Sequence, residues 1–330
     1  MKQVQLSHGG GGVEMNKLIN QLFFRYLGNE ILLRNEDAAV LECSGPIAMT
    51  TDSFTVSPLF FEGGNIGKLA IAGTVNDLAM MGAEPQYLTS SFIIEEGFSL
   101  DDLEVIVKSM ADELKVSGAK IVCGDTKVVP KGSADGVYIN TTGVGHIRQR
   151  GISSHNVAEG DTLLVSRDVG CHGACVLTAR ESLKLASPIA SDCATLWPTV
   201  KALLDQGIKI HSLRDATRGG IAAVFNEWCQ TSEVQITLDE QQIPVNDSVR
   251  GICELFGFEP YDLANEGTFI LAVPHQDAER ALDVLQQFNP QAAIVGTACR
   301  SEQHRVVLNS PWGSRRYLDF PAGELLPRIC

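Results

Sequence analysis

Between Val13 and Leu27 the apolar residues Leu18, Ile19, Leu22, Phe23 and Tyr26 recur at helical spacing, and four glycines, Gly9 to Gly12, stand immediately before them. The pattern predicts a flexible loop leading into a helix. Short runs of strand-forming residues follow at Ala38–Glu42, Ile47–Thr51, Tyr87–Ile94, Lys120–Cys123 and Val137–Ile147, and helical periodicity separates them at Gly67–Met81 and Leu100–Ser117. The first half of the chain therefore mixes strands and helices.

From Arg148 to Gly160 the chain turns polar and irregular, and the pattern restarts with a strand at Thr162–Ser166. Beyond it, helices are predicted near Ala174–Leu183, Cys193–Leu204, Gly220–Cys229, Val249–Phe256 and Ala278–Phe288. Strands are predicted at Lys209–Leu213, Val234–Leu238, Thr268–Val273, Ala293–Thr297 and Arg305–Leu308. After Tyr317 two prolines and the loss of any period predict an extended, mobile tail with a thiol, Cys330, at its tip. We expect an N-terminal domain over residues 1–150, a C-terminal domain over 151–317 and a tail over 318–330. At 330 residues and 44% hydrophobic content, two α/β domains of ordinary size can each bury a core.

Composition narrows the function. No run approaches the roughly 20 apolar residues of a membrane span, and Met1 to Gln5 is too polar for a secretion signal. Nine scattered cysteines, an odd number, point to a reducing cytoplasm rather than a disulfide scaffold. The formal charge of −14, with no basic run, argues against nucleic acid as a partner. Clustered carboxylates can instead hold a divalent metal.

Asp37, Asp52, Asp77 and Asp125 fall near the ends of predicted strands or in a helix following one, beside small or hydroxyl residues, a set that could supply the carboxylate oxygens of a magnesium–nucleotide site, although each alone also reads as a turn or cap residue. Gly63 to Leu69 resembles a phosphate-binding loop, but the glycine spacing is one residue short and Leu69 stands where Ser or Thr is needed. His8 with Gly9, Gly10, Gly11 and Gly12 can wrap phosphates through unhindered amides or serve only as a flexible arm. Arg214 to Gly220, containing Asp215 and Arg218, follows a strand and opens a helix, either an anion-binding end or an ordinary capped start. Cys171-His172-Gly173-Ala174-Cys175 lacks the second pair of a zinc site and reads as a loop and helix start. Glu266, before an apolar strand, suits a general base or a plain turn.

In order along the chain, these motifs resemble the HypE family of hydrogenase maturation factors, within the superfamily of aminoimidazole ribonucleotide synthetase, selenophosphate synthetase and thiamine-monophosphate kinase. The resemblance runs from His8 to Cys330. It is carried by His8-Gly9 with Gly11-Gly12, Asn76 to Ala83, Gly124-Asp125-Thr126-Lys127-Val128-Val129, Arg214 to Gly220, Asn265-Glu266-Gly267 and the ending Pro327-Arg328-Ile329-Cys330. It implies a two-domain PurM-like α/β fold of the α+β type, a homodimer formed through the N-terminal sheet, and ATP with Mg2+ in the cleft between the domains. The implied reaction is ATP-dependent dehydration of a carbamoyl group on Cys330 to a thiocyanate. HypF supplies the carbamoyl group, and the cyanide passes to iron on the HypC–HypD complex.

By the same resemblance, Asp37, Asp52, Asp77 and Asp125 bind metal, and Cys330, Lys127 and Glu266 are catalytic. His8, Gly9, Gly10, Gly11, Gly12, Asp52, Asp77, Asp125, Thr126, Asp215 and Arg218 contact the nucleotide. Gly11 stands where the family commonly has Ser or Ala, and Cys171 precedes His172-Gly173 where Asp is common. A selenophosphate synthetase would carry a reactive Cys or selenocysteine and a Lys in the arm that here holds His8, and a metabolite kinase would have no use for Cys330. A nucleotide-binding scaffold without turnover is the remaining alternative.

Overall fold

The computed structural model describes residues 3–36, 38–180, 189–323, 326 and 328–330. The stripe after the glycines forms one helical rod in which α1 (Val13–Leu18) passes through a π-helical turn at Ile19–Phe23 into α2 (Phe24–Leu27), burying Leu18, Leu22, Phe23 and Leu27. Next come β1 (Ile47–Phe54), the small hairpin β2 (Phe60–Phe61) and β3 (Gly64–Asn65), α3 (Ile66–Met80), β4 (Ala83–Glu95), α4 (Leu100–Ser117), β5 (Lys120–Val129) and β6 (Val137–Ile147). The strands make a mixed sheet in the order β1-β6-β4-β5, whose one parallel pair, β4 with β5, is joined by α4 as a crossover.

Asn65 caps α3 by accepting from the amides of Gly67 and Lys68. The helix is buried along almost its whole length, with the small sheet on one side and the second half of the chain on the other. That position explains why its sequence is apolar all round rather than striped.

The second half contains β7 (Asp161–Val165), α5 (Cys171–Ala179), α6 (Trp197–Asp205), β8 (Ser212–Asp215), α7 (Gly220–Thr231), β9 (Gln235–Asp239), α8 (Asp247–Phe256), β10 (Phe269–Pro274), α9 (Ala278–Phe288), β11 (Ala293–Cys299), β12 (Val306–Asn309) and β13 (Arg315–Tyr317). Its sheet runs β13-β12-β9-β11-β7-β10-β8, antiparallel except for β12 with β9. Both faces of β7 and β10 are covered, so residues 163–165 and 269–273 read as continuous apolar runs. One apolar core joins Ile71 and Met80 of α3 to Trp197 and Val200 of α6, and a second lies under α7. No described helix is long and apolar enough to cross a membrane.

Several expectations shift. Ala38–Glu42 is not a strand: no neighbour offers it an edge, and Val40 is 84% exposed. Helix α6 starts at Trp197 rather than Cys193, because Pro198 occupies its first turn. Helix α5 begins at Cys171, and the last part of the segment expected to end at Leu183 lies outside the described residues. Strand β5 runs on to Val129, so Asp125 and Lys127 stand on a strand rather than after one. Strands β2, β3 and β13, of two or three residues, are too short to leave a periodic trace.

Candidate functional site

Strand β1 alternates sides, and Thr50, Asp52 and Phe54 face the helices while Met49, Thr51 and Ser53 face out. One turn of α3 above them, Asp77 accepts a hydrogen bond from Thr50 Oγ1 at 2.6 Å. Asp215 closes β8 and Glu266 precedes β10, bringing two carboxylates from the second domain to two from the first. Burial is the main cause raising the pKa of all four. For Asp77 the Asp52 charge adds to it, for Asp215 the Asp77 charge, and for Glu266 the Asp215 charge. Asp215 is pushed up to about 7, with Arg214 offsetting only part of the rise, while Arg218 pulls the other way on Asp52. Such a group favours a divalent cation or an adjacent proton donor. Among the described residues no three metal-binding side chains converge into a cage. Magnesium, which takes one or two carboxylates plus phosphate oxygens, does not need one, so Asp52 and Asp77 fit it.

Glu266 is held by its backbone. Its amide and that of Gly267 donate to the two oxygens of Asp192, each at 3.0 Å, and Thr268 Oγ1 adds a bond at 2.7 Å. A Cβ on Gly267 would lie 1.8 Å from the Asp192 carbonyl oxygen, so only glycine fits. Among the described residues, Glu266 Oε1 is buried without a hydrogen-bond partner. Asn76, the neighbour of Asp77, ties the domains together by donating to Ala194 O at 3.0 Å and accepting from Leu196 N at 2.7 Å.

The tail ends in this cleft. Thr55 donates to the main-chain oxygen of Cys330 through its amide at 3.0 Å and its hydroxyl at 3.1 Å. Arg328 Nε donates to Thr55 O at 2.9 Å, and Arg328 O accepts from Ser57 N at 3.1 Å. Cys330 lines a cavity of about 450 Å³ with Ser53, Arg218, Gly219 and Leu263. Its thiol pKa is pushed up to about 12, first by burial and then by the Glu266 charge, against the pull of Arg218.

The remaining sequence candidates form a separate group. Register runs from Asp52 through Thr141 and Ser90 to Gly124, so Asp52 and Asp125 are three strand spacings apart, about 14 Å. They also point to opposite faces. Asp125 and Lys127 lie on the open face in an ion pair of 2.8 Å. The glycine arm packs at the same edge: Gly9 lies so close to Val128 that a Cβ would sit 2.7 Å from its amide nitrogen, Gly11 has φ of +78°, and His8 Nδ1 accepts from Gln5 N at 2.9 Å. Asp125 and Thr126 line a second cavity of about 320 Å³ with Phe23, Phe92 and Cys123. Asp37 lies outside the described residues.

Two family descriptions match the chain, AIR synthase related protein N-terminal domain over residues 35–147 and its C-terminal domain over residues 158–309. Carbamoyl dehydratase HypE of Azotobacter vinelandii is 45% identical over 99% of this chain and 97% of its own length. The chain belongs to the HypE family. Carbamoyl dehydratase HypE of Escherichia coli strain K12 is 44% identical over the full length of both chains. A crystal structure of HypE in complex with ATP superposes with a TM-score of 0.95 at 42% identity, covering 99% of each chain. That of a HypE–HypF complex superposes at 0.81 with 46% identity, over 92% of this chain and 99% of that one. The expected PurM-like fold is thus observed.

Within this HypE fold the sequence pattern did not single out Asp192, Ser191 or Thr55, which orient Glu266 and the tail. Asp192 and Thr55 act on backbone atoms far away in the chain, Ser191 acts through the His172 ring, and such contacts leave no spacing signal. His172 stood out only as a possible metal ligand. The structure buries it completely and hydrogen-bonds both ring nitrogens.

Proposed function

We propose that this chain is a cytoplasmic, ATP- and magnesium-dependent carbamoyl dehydratase that serves hydrogenase maturation, with Cys330 as the residue carrying the substrate. The observation that carries the reading is the docked tail, which sets the Cys330 thiol within the field of Glu266 and Arg218 in a chain matched end to end by carbamoyl dehydratases. Nine free thiols accord with a reducing compartment.

A thiocarbamate oxygen is a poor leaving group. Transfer of the ATP γ-phosphoryl group to it, with loss of one nitrogen proton, gives an O-phosphorylated imidate on sulfur. Loss of the second nitrogen proton and departure of phosphate then leave the S–C≡N group, so the elements of water end in the phosphate. Glu266 is the acceptor for the nitrogen proton: its Oε1 has no hydrogen-bond partner among the described residues, and burial raises its pKa, which makes its carboxylate a stronger proton acceptor. Arg218 faces the thiol and offsets anionic charge beside it. Asp52 and Asp77 would hold magnesium, which neutralises phosphate charge. Asp77→Asn is expected to lower ATP turnover by about a hundredfold and to raise the magnesium concentration needed for half-maximal rate, both read from phosphate release.

Asp125, Lys127 and the His8 arm would act with the nucleotide from the other face. We read the protein as a homodimer joined through that open face, where Ile47, Met49 and Ile93 are exposed, since pairing two copies would bring one copy's Asp125 and Lys127 toward its partner's cleft. Met49→Asp is expected to give monomers by sedimentation and to lose dehydration while keeping the monomer folded by circular dichroism. The reaction is tested by loading the chain with HypF and carbamoyl donor and following intact mass. Loss of one water is expected only with ATP and magnesium, and an unchanged adduct would leave a scaffold as the better reading. The HypC–HypD complex is the expected acceptor of the product.

A further inference from the structure

One of the groups that hold the tail takes no part in the chemistry above. His172, in the first turn of α5, is wholly buried, with Phe61 edge-on at 5.3 Å between ring centroids. Its Nε2 lies 2.8 Å from the carbonyl oxygen of Ile329, and its Nδ1 lies 2.7 Å from Ser191 Oγ. A carbonyl only accepts, so Nε2 carries a proton. Burial keeps the ring neutral by lowering its pKa, which leaves Nδ1 as an acceptor for the Ser191 hydroxyl. Ser191 Oγ in turn accepts from Cys193 N at 3.0 Å. The chain of donors therefore has one consistent direction, from the Cys193 amide through Ser191 and His172 to the tail.

We propose that His172, oriented by Ser191, is a positioning residue that docks the Cys330 thiol beside Glu266 by holding the Ile329 carbonyl. This deepens the dehydratase reading and rests on its choice of Cys330. Thr55 and Ser57 grip the tail from the first domain, and His172 grips it from the second, so the docked tail bridges the cleft. The segment that orients His172 also orients the base, because Asp192, next to Ser191, accepts from the amides of Glu266 and Gly267. The Ser191 amide is anchored on Glu62 O at 2.8 Å. Thiol and base are registered to one strap, which keeps them aligned if either domain shifts. At Ile329 and Cys330 these bonds use main-chain atoms, which leaves the Cys330 side chain free to carry a group.

The test uses the full chain in the variants His172→Phe, which keeps the ring without a donor, His172→Gln, which restores a donor, and Ser191→Ala. Alkylation of Cys330 by iodoacetamide, measured by peptide mass spectrometry against exposed Cys43, reports docking without any catalysis. His172→Phe is expected to speed Cys330 alkylation at least about tenfold, the worth of one net hydrogen bond, because release also returns the thiol toward its ordinary pKa. Single-turnover water loss should slow by a similar factor, with ATP affinity and Cys43 alkylation unchanged. His172→Gln should recover most of both, and Ser191→Ala should fall between. Unchanged Cys330 alkylation in His172→Phe that still binds ATP overturns the proposal. If His172→Phe does not fold, unchanged alkylation in Ser191→Ala overturns it instead. Failure of the dehydratase reading looks different: the wild type would lose no water while the alkylation shift persisted.

Discussion

Glu266→Gln is expected to leave the carbamoyl adduct on Cys330 intact in the presence of ATP and magnesium, with water loss slowed roughly a hundred- to ten-thousandfold, the usual worth of a positioned proton acceptor. The amide fills the same space and the Asp192 clamp holds the backbone, so the loss belongs to the acid–base function rather than to the fold. Stability should move the other way. The folded pKa of Glu266 is raised above the ordinary carboxylate value, so the unfolded state ionises first, and the native protein loses stability as pH rises from that ordinary value through the folded one. Gln removes this loss, so the variant should show the higher Tm at neutral pH and a gain that shrinks in acid. In the wild type the rate of water loss should climb with pH as Glu266 gives up its proton, and the climb due to that group should vanish in Glu266→Gln. A Gln variant that dehydrates at the wild-type rate would remove Glu266 from the mechanism.

Cys330→Ala carries the second large effect. No carbamoyl adduct should form after treatment with HypF, and ATP consumption stimulated by loading should disappear, with phosphate release and intact mass as the readouts. The protein should fold and melt almost as the wild type does, since the tail is held by Thr55, Ser57 and His172 through main-chain atoms that alanine retains. Normal production of cyanide ligands from the alanine protein would place the reacting sulfur elsewhere. The buried thiols are poor substitutes: Cys175 and Cys193 are enclosed in the core, out of reach of a carbamoyl donor, whereas Cys330 is only partly buried and lines a cavity.

Much of the architecture was legible in local pattern. Val137–Ile147, Leu100–Ser117 and Ala278–Phe288 form as the periodicity predicts, because each has one face to bury and clear end signals such as Ser99 before α4 and Gly118 after it. Ala38–Glu42 misled because strand composition is not enough without a free sheet edge, and the β2–β3 hairpin was invisible because four residues hold no period. Asp52, Asp77, Asp215, Glu266 and Cys330 were nameable from motif resemblance, but their grouping was not.

The sequence by itself determined the two α/β halves, the carboxylate-rich motifs and a thiol on a proline-containing tail, since helix and strand periods, caps and short motifs act over a few residues. Only the tertiary structure decided that Asp125 and Lys127 stand three strands from Asp52 and on the opposite face, and that Ser191 and Asp192 steady both the tail and the base. Those relations depend on which strands pair and on hydrogen bonds to backbone atoms as far as 157 residues away along the chain, and main-chain partners of that kind impose no residue type that a reader of the sequence could notice.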